Sequence, residues 1–339
     1  MYPRRVTVVE GKAPPESPTP SRRGVRVGSV EVLAVVLVAV VVFRGPITRA
    51  ISAPSLQTWM TVFVSVMTQA MPFLVFGVVL SAIIAVFVPP SFFAKALPRH
   101  PAVAVPVASA AGVVLPGCEC ASVPVAGALV RRGITPAAAL AFLLASPAIN
   151  PIVLTATAVA FPKNPEMVVA RGVAALLTAT AMGWLWQLFG RRDWIKLPDR
   201  SHIDGLAKWE AFWASVRHDV MHAGGFLVIG AAAAAVIKVV VPAGWLNSIA
   251  TEPIIAVLGL AVLAVVLSIC SEADAFVAAS LSQFSLTARL VFLTVGPMID
   301  LKLFAMQAGI FGRRFALRFA PATFVLAIVV AVAVGTVML

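Results

Sequence analysis

The chain has 339 residues, 60% of them hydrophobic and only 12% charged, with a mean hydropathy of +0.99. Soluble domains carry about 25% charge, so a soluble globule is excluded, and apolar runs able to cross about 30 Å of hydrocarbon recur along the whole length. The net charge of +12 raises nucleic acid as a partner, but the basic residues lie in the tail and loops, where cytoplasmic-side positive charge belongs, so no nucleic acid is expected.

Residues 1–26 place Pro14, Pro15, Pro18 and Pro20 among Ser, Thr and Arg with no apolar period. They read as a disordered cytoplasmic tail, and they lack the short apolar region of a secretory signal. Apolar segments follow at 27–43, 59–88, 101–131, 136–161, 166–190, 219–241, 254–284, 287–311 and 316–338.

These segments repeat. A shift of 150 places Cys120 on Cys270 and Asn150 on Asp300, with eight of thirty-one positions identical across 120–150. A shift of 153 places Phe73-Leu-Val-Phe-Gly77 on Phe226-Leu-Val-Ile-Gly230, with nine of seventeen identical across 73–89. Duplication with broken polar segments at matching places is the usual build of a transporter.

Nine full spans put loop 191–217 outside, although it carries Arg191, Arg192, Lys196, Arg200, Lys208 and Arg217. That violates the positive-inside rule. The conflict disappears if 101–131 and 254–284 are hairpins, broken at Pro116-Gly117-Cys118-Glu119-Cys120 and at Cys270-Ser271-Glu272-Ala273-Asp274. Each arm has about fifteen residues, roughly 22 Å of helix, too short to span. Loop 191–217 then lies inside, and loop 242–253, without Lys or Arg, lies outside. The expected fold is an all-α polytopic membrane protein with a two-fold, inverted repeat, each unit holding a broken or re-entrant hairpin. Residues 27–43 form an extra N-terminal transmembrane helix, 59–190 the first repeat, 191–217 a cytoplasmic loop and 219–338 the second repeat. A parallel duplication with nine spans is the rival. Within the loop, Trp209, Phe212, Trp213 and Val216 form an i, i+3, i+4, i+7 stripe, read as an interfacial helix.

Candidate chemistry sits at the breaks. Pro116-Gly117 stops a helix, and in an extended turn the Cys118 and Cys120 thiols can face one side. With Glu119, Cys270, Ser271 and Glu272 they suit a soft or borderline ion, the metal ligands being Cys118, Cys120, Cys270 and Glu272. The competing reading is that small cysteines fill core space. All three cysteines lie in apolar or broken membrane segments, which argues against a disulfide framework. Glu119, Glu272, Asp274 and Asp300 all fall within apolar segments, where an ionised carboxylate costs at least about 2.5–3.5 kcal/mol and must face a cavity or a partner. Lys302 and Lys238 are the candidate partners, and four acids against two lysines leave room for a bound cation or a proton. Asn150 and Asp300 follow Pro147 and Pro297 and either coordinate an ion or cap freed backbone. Gln69 and His222 align under the shift of 153 and are candidates to line the same path. His218 and His222 have metal-capable i, i+4 spacing, against which stands a hydrated interface at a helix start.

At these residues the chain resembles a known family. The tract Pro116-Gly-Cys118-Glu-Cys120-Ala-Ser-Val-Pro124, continued by Phe142-Leu-Leu-Ala-Ser-Pro147-Ala-Ile-Asn150-Pro151, is similar to the predicted-permease family that includes the ArsP organoarsenical efflux proteins and the YraQ and YcgR permeases. The second tract, Cys270-Ser-Glu-Ala-Asp274 with Gly296-Pro-Met-Ile-Asp300-Leu-Lys302, is most similar to the YcgR branch. That branch implies a partner membrane protein and a link to zinc homeostasis. The ArsP branch implies export of trivalent organoarsenicals by cysteine capture. The second half carries one cysteine and acids where another thiol is expected, a departure that favours a mixed thiolate–carboxylate site.

The expectation is a multi-pass plasma-membrane permease, N-terminus cytoplasmic. It moves a zinc-like cation, arsenical or thiol complex. No enzyme activity is expected, and no cofactor beyond a metal ion as cargo. Its partners are the lipid bilayer, that cargo, a partner membrane protein and a homo-oligomeric copy. No phosphate-cradling or dinucleotide motif occurs. The alternative is a membrane-embedded thiol- or metal-transfer subunit or enzyme that does not transport. The charge argument fixes one test: in intact cells an impermeant thiol reagent should label Asn247→Cys, and should label Gly205→Cys only after the membrane is opened. Labelling of both from one side overturns the hairpin topology.

Overall fold

Proline at the first turn sets where several helices begin. Pro101, Pro136, Pro151 and Pro253 each stand at such a start, where the missing N–H costs no hydrogen bond. The computed structural model describes residues 54–89, 92, 98, 100–114, 119–197, 207–240 and 252–339. The tail 1–26, the segment 27–43, Pro116-Gly117-Cys118 and residues 241–251 lie outside the described residues.

Every long regular element among the described residues is helical. The first half runs α1 (Pro54–Phe87), α2 (Pro101–Ala111), α3 (Glu119–Arg131), α4 (Pro136–Ile149), α5 (Pro151–Ala160) and α6 (Glu166–Phe189). The second runs α7 (Lys208–Val240), α8 (Pro253–Leu267), α9 (Asp274–Ser280), α10 (Leu286–Met298), α11 (Leu301–Ile310) and α12 (Arg313–Met338). Six stretches are long and apolar enough to cross a membrane: α1, α4–α5, α6, α7, α10–α11 and α12. The segments 101–131 and 254–284 are not among them, because their described helices are shorter: α2 and α3 in the first, α8 and α9 in the second.

The split helices form the centre. In an 18-residue apolar stretch of α4–α5 and of α10–α11, 83% of the residues are buried within the protein, against 28–50% in the other four spans. Helix α4 is apolar on every side and buried from Ala137 to Ile149, as a core helix must be. The packing pairs recur between halves. Helix α2 packs on α4 and α6 as α8 does on α10 and α12, while α1 meets α7, α4 meets α10 and α6 meets α12. Across the halves, α3 packs on α11 and α9 packs on α5. Helices α3 and α9 therefore each lie against the split helix of the other half.

The breaks have local causes. Pro151 disfavours helical backbone at the residue before it, and Asn150 is extended at φ −67°, ψ 152°. Asp300 is likewise extended before α11. Helix α8 ends on Ser268, a left-handed residue at φ 48°, a conformation that costs a non-glycine residue about 1–3 kcal/mol unless its surroundings hold it.

The stripe from Trp209 to Val216 is not a separate surface helix. It forms the first turns of α7, which runs unbroken from Lys208 to Val240, since neither Gly nor Pro interrupts 209–223. Its rings divide: Trp209 and Trp213 are exposed, whereas Phe212 is buried beside Phe87 with ring centroids 6.0 Å apart.

Two aligned glycines set the closest helix approaches. A Cβ on Gly77 would lie 2.5 Å from Ala121 Cα, and one on Gly230 would lie 2.5 Å from Lys302 Cα. Gly230→Ala should therefore lower stability by about 1–3 kcal/mol through overpacking. Gly225→Ala, whose Cβ would meet nothing within 4 Å, should leave stability unchanged or raise it by up to about 1 kcal/mol. Thermal unfolding in detergent checks the pair, and equal midpoints would refute the close-packing argument.

Candidate functional site

Four helix starts carry the polar residues. Glu119 and Cys120 occupy the first turn of α3 and Asp274 opens α9, while Asn150 caps α5 and Asp300 caps α11. Helix N-termini present unpaired N–H groups and a positive dipole end, so they favour carboxylates there. Asn150 Oδ1 accepts from Val153 N at 2.9 Å and Asp300 Oδ1 accepts from Leu303 N at 2.6 Å. Both residues thus serve as backbone caps.

Asp300 has a second role. Its Oδ2 lies 3.2 Å from Lys302 Nζ, and Glu119 Oε1 lies 2.6 Å from the same nitrogen. Lys302 Nζ also donates to the Ser268 carbonyl at 3.0 Å. Lys302, Glu119 and Asp300 are each no more than 1% exposed. The left-handed turn at Ser268 thus presents its carbonyl to the ammonium. Cys120 and Cys270, both buried, lie within electrostatic reach of Lys302. Glu119 Oε2 has no hydrogen-bond partner.

A second buried cation pairs with Asp274. Arg171 on α6 donates to Asp274 Oδ2 at 2.8 Å, to the Ser271 carbonyl at 3.2 Å and to Thr157 Oγ1 at 2.8 Å. Arg171 is fully buried and Asp274 is 2% exposed. Asp274 Oδ1 and Ser271 Oγ have no hydrogen-bond partner. Glu272, half-buried in the turn between Ser271 and Asp274, lies within electrostatic reach of Glu119, Lys302 and Arg171.

The structure thus brings Glu119, Cys120, Cys270 and Asp300 to one lysine, and Ser271 and Asp274 to one arginine. Cys118 lies outside the described residues. Among the described residues no three His, Cys, Asp or Glu side chains form a ready metal cage. Arg171 was missed at the sequence level, and it corrects the charge count. The second cation at the acids is this arginine, while Lys238 is only half-buried. The signal was present, because Arg171 is the only charged residue between Glu166 and Arg191. Nothing in the sequence marked Ser268. Counting Glu119, Glu272, Asp274 and Asp300 against Arg171 and Lys302 still leaves two more acids than cations.

Six membrane-length spans and buried charge at broken helices define a multi-pass helical membrane protein. Residues 55–336 match the predicted permease family ArsP_1, and the chain belongs to that family. It is 34% identical to the UPF0718 protein YcgR of Bacillus subtilis over 278 residues, covering 80% of this chain and 94% of that protein. It is 32% identical to a putative two-component membrane permease complex subunit of Streptococcus mutans over 284 residues, covering 81% and 94%. No solved structure matches it.

Removing one partner of a buried ion pair strands the other charge. Lys302→Met should cost about 3–5 kcal/mol of stability, and adding Glu119→Gln should recover part of that loss. Denaturation in detergent followed by tryptophan fluorescence measures both. An equal loss in the single and double variants would show that the pair does not hold the fold.

Proposed function

We propose that this permease moves a metal or metalloid species, as a cation, an arsenical or a thiol complex. The site is built from Cys118, Glu119, Cys120, Asn150, Cys270, Ser271, Glu272, Asp274 and Asp300. The observation that carries the reading is the meeting of two broken elements from different halves around one buried lysine. Two carboxylates pair with it and two buried thiols lie within its electrostatic reach, while Glu119 Oε2 has neither an ion-pair nor a hydrogen-bond partner. Non-helical backbone is tolerated at membrane depth only inside protein or beside a wet cavity, and permeases place cargo there.

The thiols suit a soft or borderline ion and the carboxylates a hard cation or proton. The surplus of two acids supports a positively charged cargo or a coupling proton. The absence of a nucleotide motif supports a secondary mechanism. In this reading the two hairpins are re-entrant, the repeats are inverted, the N-terminus is cytoplasmic and the membrane is the plasma membrane. The Streptococcus relative, named as a subunit of a two-component complex, supports a partner membrane protein for this chain too.

Flux into sealed proteoliposomes tests the reading, with Zn²⁺, arsenite and methylarsenite as separate probes. The Cys118→Ser, Cys120→Ser double variant should fold and yet lose about tenfold or more of the flux of a thiophilic probe, the effect of about 1.4 kcal/mol or more of lost binding. Unchanged flux would reduce the cysteines to packing. Flux of no probe by the wild type would favour a non-transporting thiol- or metal-transfer subunit.

A further inference from the structure

Helices α3 and α11 both begin at the Glu119–Lys302 pair and run in the same direction away from it. Further along, a Cβ on Gly127 would meet Ile310. Helix α7 runs beside them in the opposite sense, with Gly230 against Lys302 and Phe226 against Gly309. About 12 Å along α11 from Lys302, at 1.5 Å per residue, a cavity of ≈10 Å³ is lined by Pro124, Arg131, Asp219, His222, Ala223 and Ile310. That is the room one water needs.

The groups facing this cavity suit proton exchange. His222 Nε2 lies 3.1 Å from the Gly309 carbonyl. A carbonyl only accepts, so Nε2 carries the hydrogen and Nδ1 is the basic atom. Asp219, 8% exposed, accepts from Ser81 Oγ of α1 at 3.4 Å. Helix α3 supplies Arg131, with Arg132 next along the chain. Helix α11 supplies only Ile310 and the Gly309 carbonyl, neither titratable. On α7 itself His218 stacks on His222 at 5.9 Å, and Arg217 is exposed. Between the cavity and the ion pair, one turn before Ile310, Gln307 is fully buried with neither amide atom hydrogen-bonded. A buried amide in that condition is what a short water chain satisfies.

We propose that Asp219 and His222 form a proton-access site, through which protons reach the Glu119–Lys302 level from the face that bears Arg131 and Arg132. The proton is taken up from water at His222 Nδ1, the imidazolium is balanced by Asp219, and the same atom gives the proton up. No bond other than this N–H forms or breaks. Histidine fits because it alone has an ordinary titration range within physiological pH.

The inference rests on the permease reading, and the test separates the two. In proteoliposomes, Zn²⁺ and methylarsenite are each followed twice: as net flux under an imposed pH gradient, and as exchange of labelled for unlabelled probe at equal pH. The wild type should show both, with a trapped pH dye reporting proton movement. Gln can still donate to the Gly309 carbonyl, and Asn keeps an acceptor for Ser81. His222→Gln and Asp219→Asn should therefore retain exchange but lose the gradient response down to that of empty vesicles. His100→Gln should keep both. Wild-type exchange with no gradient response overturns the proton-access site and leaves the permease reading standing, as does an undiminished gradient response in both variants. If one variant does not fold, the other decides. Absence of both activities in the wild type defeats the permease reading, and the proton site falls with it.

Discussion

A lysine ammonium buried where the start of α3, the turn after α8 and the α10–α11 junction meet organises this molecule. Taking such an ion out of water costs several kcal/mol unless oxygens replace the water. Here the oxygens come from Glu119 at the start of α3, Asp300 before α11 and the Ser268 carbonyl after α8. Those three points are far apart in sequence and belong to both halves. Lys302 can stay charged only if α3, the turn after α8 and the α10–α11 junction arrive together, so local helix ends become a tertiary constraint. Gly230 completes the arrangement, because any side chain there would collide with the Lys302 backbone.

Arg171 performs the corresponding task on the other side. Helices α3 and α9 each open with a buried acid, Glu119 or Asp274, and each acid is paired with a cation from the opposite half. The charge pairs therefore cross the same boundary that the packing of α3 on α11 and α9 on α5 defines. Relative movement of the halves must stretch or exchange these pairs. In a low-dielectric interior a separated pair is costly, so each acid released from its cation has to gain a proton or another cation.

Much of this was legible in the chain. Gly77 and Gly230, aligned in the sequence, make equally close helix contacts, Asn150 and Asp300 both cap a helix, and Pro151 marked the start of α5. Arm length and the basic charge of loop 191–217 together separated segments 101–131 and 254–284 from the six membrane-length ones. The cost of burying charge pointed to Glu119, Asp274 and Asp300. Three features were not legible, for physical reasons. Arg171 sits in an otherwise apolar run, and only the fold reveals which acid it meets. Ser268 matters through its backbone carbonyl and left-handed turn, which its side chain does not signal. The Trp209–Val216 stripe has the period of a surface helix, yet the same period serves the start of a longer helix when nothing stops it.

The breaks also explain how so many acids are held in one place. Helices α3, α5, α9 and α11 all begin with an acid or amide at or beside the first turn. An unbroken span would place its termini at the membrane surfaces, where water already solvates charge. Splitting the helices moves their positive N-terminal ends into the interior, so backbone dipoles carry part of the compensation that cations alone would otherwise supply. Asp300 uses both means, one oxygen on the Leu303 N–H and the other on Lys302. Two fixed cations then suffice for four acids, and the remainder is negative charge that the protein tolerates and a mobile cation or proton can neutralise. Two fully buried lysines more would cancel that remainder, but each would itself have to be taken out of water.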